Sequence, residues 1–399
     1  MRIDEKRFGS WYYFAAFFVL GLITASLGPS LPSFSKGVNN TLQELGVLFP
    51  VRAGAYLFGA WLTGRLIDKT RGHVLLVAGM LFMGVTSFFI PETQRMWSLL
   101  AAMVFMGWGM GILDVGGNTL LMWQELVDPG SAMNALHFFY GLGSFLSPLI
   151  LAGAIHYTGG IKAGYVLYGI VFIPLILFVL QGSSPQPPRE EAPHQASFSS
   201  GTNRRTLILI AFFFFLYVGV EVGFGGWIAA YGLKSGLTTA VTGAVLTSAY
   251  WGAFTASRLA SVPLAARWKP STLLILDFFG GVISLAVILL WPTSQVALWV
   301  GALGLGWSLA SVFPTMLTFA NRHLALKGRE TSWFFVSAGL GAMVTPWGLS
   351  RFVEGESPVR LMQVLFIELL FTCVLFGILI YWKGRDGVDR GGGDRDGIR

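Results

Sequence analysis

Long apolar runs fill almost the whole of this chain, and they constrain its fold more than any other feature. A stretch of about 20 apolar residues crosses the hydrocarbon core of a bilayer as one helix. Helices are also one of only two structures that satisfy their own backbone groups in lipid. The pattern therefore predicts an all-α membrane protein with twelve transmembrane helices, at residues 11–33, 45–67, 73–91, 97–124, 130–156, 163–181, 205–231, 240–262, 270–291, 295–320, 330–351 and 359–382.

Charge is scarce in this chain and unevenly placed. Only 12% of the residues are charged, about half the share found in soluble domains. With the N-terminus inside, the tails and inner loops hold 20 Lys and Arg, and the outer loops hold six. The positive-inside rule then predicts that both termini are cytoplasmic. Because the net charge of +7 follows the loops, it does not indicate nucleic acid as a partner.

A segment rich in Pro, Ser and Gln divides the chain into two halves of six spans each. We predict an N-terminal six-helix bundle at 1–181, a flexible cytoplasmic linker at 182–204, a C-terminal six-helix bundle at 205–383 and a disordered cytoplasmic tail at 384–399. The charged N-terminus leads directly into the first span without a small-residue cleavage site, so we expect a retained helix there and not a signal peptide.

The two halves share a motif. Gly141-Leu142-Gly143 with Pro148 in the fifth span recurs as Gly339-Leu340-Gly341 with Pro346 in the eleventh span, at the same internal spacing. Such a repeat is expected when two pseudo-symmetric bundles rock around a site near the bilayer midplane.

Two carboxylates lie deep inside apolar runs. Asp114 is in the fourth span and Glu221 is in the seventh. A charged side chain at this depth costs roughly 2.5–3.5 kcal/mol even on lenient insertion scales, so such residues are kept where they face a wet cavity, bind a polar ligand or carry a proton. The two residues indicate a transporter.

The loop after the second span carries a recognisable signature. It reads Gly64-Arg65-Leu66-Ile67-Asp68-Lys69-Thr70-Arg71-Gly72-His73 and resembles the G-x-x-x-D-R/K-x-G-R/K motif of the major facilitator superfamily, with His at the final position. The resemblance implies a cytoplasmic gate in which Gly64 allows close packing while Asp68 pairs with cations such as Lys69 and Arg71. A generic basic inner loop is the alternative.

Five further segments are similar to the fucose–galactose–glucose symporter group of that superfamily. These are Tyr217-Val218-Gly219-Val220-Glu221-Val222, like that group's YVGAEV; Tyr250-Trp251-Gly252 with Arg258, like YWGG…GR; Phe313-Pro314-Thr315, like MFPT; Met133-Asn134-Ala135-Leu136-His137, like LNxxQ; and Asp114-Val115-Gly116-Gly117-Asn118, like E-x-A-A-N. Their variants, such as Leu136-His137-Phe138 and Gly225-Gly226-Trp227-Ile228, look more like the sodium-dependent glucose transporter-like branch.

This resemblance implies a major facilitator fold and a hexose or related polyol as cargo, and it leaves the coupling ion open between H⁺ and Na⁺. It also assigns Arg258 to the gate. The chain departs from the fucose-type symporters in one respect, because its first span has no carboxylate. A relay between two carboxylates in the N-terminal half is therefore not carried over.

Candidate cargo and ion contacts follow from helix geometry. Asp114 and Asn118 are four residues apart and share a helix face, so they suit sugar hydroxyls or a cation. His137 lies three residues from Asn134 and three from Tyr140, and it either relays protons or is structural.

Aromatic and basic residues complete the candidate set. Glu221 either contacts sugar or ion or pairs two helices, and Trp227 either stacks on a pyranose or is an interfacial tryptophan. Arg52, with Tyr56 one turn on, contacts cargo or snorkels. The remaining candidates are Tyr231, Tyr250 and Trp251. We expect Asp277 and Glu368, in the ninth and twelfth spans, to make structural hydrogen bonds.

Together these features predict a secondary active sugar transporter that works by alternating access and is driven by a proton or sodium gradient. A drug/proton antiporter of the same fold is the alternative. The sequence has no HExxH, G-x-S-x-G or Cys/His cluster, so we expect no enzyme, no cofactor and no metal site. The single cysteine, Cys373, excludes an intrachain disulfide. We expect a monomer in a bacterial-type inner membrane.

Overall fold

The computed structural model of this protein describes residues 3–125, 129–186, 204–324, 328–354 and 357–391. Within them the chain is helical, and the described residues form no strand. In chain order the helices are α1 (Ile3–Val38), α2 (Leu42–Leu45), α3 (Leu48–Leu66), α4 (Gly72–Phe89), α5 (Met96–Gln124), α6 (Pro129–Thr158), α7 (Lys162–Gln181), α8 (Arg204–Lys234), α9 (Ala240–Arg267), α10 (Pro270–Leu290), α11 (Gln295–Leu309), α12 (Val312–Leu324), α13 (Gly328–Val353) and α14 (Val359–Gly391).

These helices occupy the positions of the twelve predicted spans. Within the described residues, ten segments are long and apolar enough to cross a membrane. The other two, α9 and α13, have membrane-crossing length but contain more Thr, Ser and Arg. The protein is therefore a multi-pass integral membrane protein.

The same helix pairing occurs once in each half. α6 packs along α1, and α13 packs along α8. A Cβ on Gly143 would lie 2.0 Å from the Phe18 carbonyl oxygen, and a Cβ on Gly341 would lie 2.0 Å from the Phe215 carbonyl oxygen. Only glycine allows backbones to approach this closely. The Gly-Leu-Gly repeat in the sequence thus marks the equivalent helix contact of two pseudo-symmetric halves.

The halves also contact each other directly. The backbone N–H of Leu42 donates to Glu354 Oε1 over 2.9 Å, at the end of the bundle where α1 joins α2 and α13 joins α14. Deeper in the bundle, Ser248 Oγ donates to the Phe145 carbonyl. In this conformation the halves are held together at the end of the molecule that we predict to be external.

The structure departs from two predicted boundaries. The predicted tenth span, 295–320, is interrupted between α11 and α12, for a reason given below. α14 continues to Gly391, so residues 384–391 of the predicted disordered tail are helical. Most of the predicted linker, residues 187–203, and residues 392–399 of the tail lie outside the described residues.

Candidate functional site

A small cavity lies between the two halves. It has a volume of about 70 Å³, well below the roughly 300–1,000 Å³ of typical ligand pockets. The N-terminal half contributes Thr24, Arg52 and Tyr140, while the C-terminal half contributes Glu221 and Trp251. This conformation thus has too little room for a sugar, and binding a ligand of that size requires the halves to move apart.

The Asp114 carboxylate is held by two side chains and does not itself line this cavity. Tyr56 Oη donates to Asp114 Oδ2, and Asn118 Nδ2 donates to Asp114 Oδ1 over 2.9 Å. The pairing with Tyr56 depends on glycine, since a Cβ on Gly111 would lie 2.2 Å from the Tyr56 carbonyl oxygen. Close contact between α3 and α5 therefore brings the tyrosine hydroxyl to the carboxylate. The Asn118 Oδ1 atom is buried and has no partner in the described part of the chain, so it is a free acceptor for a hydroxyl, a water or a cation.

Glu221 has an equivalent tyrosine partner. Tyr217, one helical turn earlier on α8, donates its hydroxyl to Glu221 Oε2 and also lies 2.7 Å from the Leu309 carbonyl oxygen at the end of α11. Tyr250 Oη donates to the Glu221 backbone carbonyl over 3.1 Å. Each half therefore has one membrane-embedded carboxylate that accepts a hydrogen bond from a tyrosine.

Proline explains the break between α11 and α12. Pro314 has no N–H, so the carbonyl of Ala310, four residues earlier, loses its helical donor. Arg258 Nε on α9 lies 3.4 Å from that carbonyl oxygen, and its guanidinium lies over the Phe254 ring. Ser311, in the break itself, donates to the Asp277 carboxylate. Arg258 from α9 and Tyr217 from α8 thus contact the Ala310 and Leu309 carbonyls at the break, and Asp277 from α10 holds the Ser311 side chain.

The remaining predicted contacts on α6 lie toward the predicted inner end. His137 is half-buried beside the Phe17 ring, with ring centroids 5.8 Å apart, and Asn134 is exposed. Neither residue is part of the cavity lining. Their proposed roles in binding or proton transfer therefore stay predictions.

Trp227 and Tyr231 are both fully buried. The Trp227 indole N–H donates to the Pro346 carbonyl of α13 over 2.8 Å, and its ring packs on Phe49. The Tyr231 hydroxyl has no partner within the described residues. In this conformation both aromatic residues lie behind the cavity surface, and stacking of Trp227 on a sugar would require it to become exposed.

The predicted gate motif lies on the surface between α3 and α4. Asp68, Lys69 and Arg71 are exposed and line a cleft of about 590 Å³. No ion pair of Asp68 is found among the described side chains, so the latch remains a prediction. Close packing at Gly64 is not observed, because nothing lies within 4 Å of its Cβ position. The last motif residue, His73, is buried and shares a hydrogen bond of 3.0 Å with Tyr13 Oη, which anchors the start of α4 to α1.

The two peripheral carboxylates both make hydrogen bonds to hydroxyls. Asp277 accepts from Ser311 at the helix break, and Glu368 Oε1 accepts from Thr345 over 2.7 Å. Thr345 precedes the proline of α13. The expectation that these carboxylates make structural hydrogen bonds agrees with both contacts.

Comparison with known proteins establishes the family. The sequence pattern of the Major Facilitator Superfamily matches residues 13–346. This chain belongs to the Major Facilitator Superfamily. Members of this superfamily are transporters that work by alternating access between two halves, and the paired halves described above fit that mechanism.

This Major Facilitator Superfamily chain is similar to sodium-dependent glucose transporters and to a nucleoside transporter of known structure. Sodium-dependent glucose transporter 1 of Danio rerio is 30% identical over 416 residues, covering 94% of this chain and 69% of the relative. Sodium-dependent glucose transporter 1A of Mus musculus is 28% identical, covering 92% of this chain and 95% of the relative. A solved structure of a mutant of the nucleoside transporter NupG superposes with a TM-score of 0.72 over 93% of this chain and 99% of that chain at 13% identity. That last likeness shows the fold alone.

Three residues at the site were not predicted from the sequence. Tyr217 is the partner of Glu221, and the spacing of four residues was a signal that could have found it. Thr24 and Tyr140 line the cavity, but no local pattern distinguishes them from other polar residues in spans. Arg52, Glu221 and Trp251 were predicted, and they meet in the cavity.

Proposed function

We propose that this transporter moves a hexose or a related polyol together with a cation, H⁺ or Na⁺. The observation that carries the proposal is the pair of tyrosine-bonded carboxylates, Asp114 and Glu221, one in each half, of which Glu221 lines the central cavity. A carboxylate held in this way can take up a proton or a cation and can accept sugar hydroxyls. The named relatives, which are sodium-dependent glucose transporters, favour a sugar as cargo.

Coupling follows from the position of the carboxylates. A ligand shifts a two-state equilibrium only if it binds one state more tightly than the other. A cation at Asp114 or Glu221 reduces the cost of a buried negative charge, so the loaded carrier reorients more readily than the carrier with sugar alone. The interrupted helix α11–α12 is the part of the C-terminal half best able to bend, because its exposed carbonyls are held by side chains and not by the helix itself.

We propose the predicted inner membrane as the location, with both termini cytoplasmic and the protein acting as a monomer. The loop with the motif around Asp68 is one of the predicted inner loops. These loops have an excess of Lys and Arg over the outer loops, which supports this orientation. A reporter fused to the C-terminus that is active only in the cytoplasm would test it.

The function is tested by uptake of labelled glucose, galactose and fucose into proteoliposomes, with proton and sodium gradients imposed separately. Concentrative uptake with one gradient and not the other supports the proposal and identifies the ion. Export of lipophilic cations in exchange for protons, without sugar uptake, would instead identify a drug/proton antiporter.

A further inference from the structure

Arg52 is a buried cation at the central cavity. It lies on α3, is 9% exposed and lines the cavity together with Thr24 and Tyr140. Its Nη1 atom donates to the Thr24 backbone carbonyl over 3.3 Å. A guanidinium has five N–H donors in a rigid fork, and one long hydrogen bond to a neutral carbonyl uses a small part of that capacity.

Within the described residues, no carboxylate forms an ion pair with this guanidinium. The ion pairs found in the described part of the chain are Lys162–Glu92 and Lys234–Glu354, both away from the cavity. Buried charges are normally paired, because an uncompensated one is costly in a low dielectric. Ionisable residues inside membranes that face a cavity generally meet a substrate or ion.

The two membrane carboxylates near the cavity already have other partners. Asp114 accepts from Tyr56 and Asn118, and Glu221 accepts from Tyr217. The other nearby arginine, Arg258, is held by the Ala310 carbonyl and does not line the cavity. Among the described residues that line the cavity, Arg52 is therefore the cation that a bound ligand would meet.

We propose that Arg52 is a specificity-determining residue that binds the carboxylate of an acidic sugar, so that hexuronates are among the cargo of this transporter. The proposal rests on the proposed function and narrows its substrate class. The planar fork of arginine matches a carboxylate through two parallel hydrogen bonds. A uronate seated in this way pairs the buried guanidinium and leaves its ring hydroxyls for Glu221 and Tyr140 on the facing helices.

This pairing has an electrical consequence. A neutral hexose that travels with one cation carries net positive charge, whereas a hexuronate that travels with one cation carries none. With a single coupling cation, an inside-negative membrane potential accelerates hexose uptake and has little effect on hexuronate uptake.

The experiment compares glucuronate with glucuronamide, which has the same shape and no charge. Binding to purified protein is measured at neutral pH and fixed ionic strength by ligand-induced thermal stabilisation, and uptake is measured in proteoliposomes. For the wild type we expect glucuronate to bind roughly 10- to 100-fold more tightly than glucuronamide, the range for a hydrogen-bonded charge. The variant Arg52→Gln should abolish that preference, and Arg52→Lys should keep part of it.

Arg65→Gln is the matched control, because it removes a guanidinium from the same helix at an exposed position stacked on Trp61. It should leave the preference unchanged. If the wild type binds glucuronate no better than glucuronamide, or if Arg52→Gln retains the preference, the role of Arg52 is wrong. Transport of glucose without any glucuronate binding overturns this inference but leaves the sugar function standing. Failure of every sugar to bind or move overturns both.

Discussion

Replacing Pro314 with alanine tests whether the break in the tenth span takes part in transport. Proline in a helix interior costs about 3 kcal/mol relative to alanine, and less near the first turn, where Pro314 lies in α12. The substitution also restores an N–H for the Ala310 carbonyl, and one backbone hydrogen bond contributes about 1 kcal/mol. We expect a continuous helix to gain about 1–3 kcal/mol, which is a shift of roughly 5- to 150-fold in its population.

The expected result is a more stable and slower transporter. Melting temperature in detergent should rise, and the initial rate of sugar exchange in proteoliposomes should fall by the same order as the population shift. Arg258 loses its carbonyl acceptor in the continuous helix, so the C-terminal half is also less well held in the bent form.

Pro174→Ala provides the control. Pro174 lies inside α7, and the carbonyl that it leaves without a helical donor belongs to Ile170, which is half-exposed on the outer surface of the bundle. That substitution should also stabilise the protein, without slowing exchange. If Pro314→Ala exchanges sugar at the wild-type rate, bending at this break is not part of the transport cycle.

Three further substitutions separate coupling, support and closure. Asp114→Asn should abolish concentrative uptake and leave exchange, and wild-type accumulation by this variant would show that Asp114 does not couple. Asp277→Asn weakens the hydrogen bond from Ser311, so the free energy of unfolding should fall by about 1–2 kcal/mol while the ion dependence of uptake stays unchanged. A changed ion dependence would place Asp277 in the coupling site. Glu354→Gln weakens the contact with the Leu42 N–H that holds the halves together. A cysteine introduced into the cavity should then react roughly fivefold faster with a thiol reagent added on the external side. An unchanged rate would show that this contact does not hold the halves closed.

The positions of the helices could be predicted from the sequence because lipid imposes length and apolarity on every span. The close contacts at Gly143 and Gly341 could also be anticipated from their repeated motif. Hydrogen bonds between side chains on different helices could not be predicted in this way. The hydrogen bond from Tyr56 to Asp114 joins residues from two helices, and it depends on how closely those helices approach.

The interruption of the tenth span shows a second limit. Pro314 was visible in the sequence as part of a family motif, but hydropathy does not register the loss of one N–H. The consequence depends on Arg258 and Asp277, which come near the break only after the C-terminal half has folded. Likewise, Trp227 has the chemistry to stack on a sugar, and only the packing shows that its N–H is occupied by Pro346.

The two halves share a helix arrangement but carry their membrane carboxylates at different positions. Phe18 and Phe215 make equivalent contacts with Gly143 and Gly341, so Glu221 corresponds to Thr24. By the offset between the two Gly-Leu-Gly motifs, Asp114 corresponds to Val312 beside the helix break. Each half thus keeps a carboxylate at a place where the other has none. If the chain arose by duplication of a six-helix ancestor, the copies have kept their shared scaffold and lost their equivalence in charge.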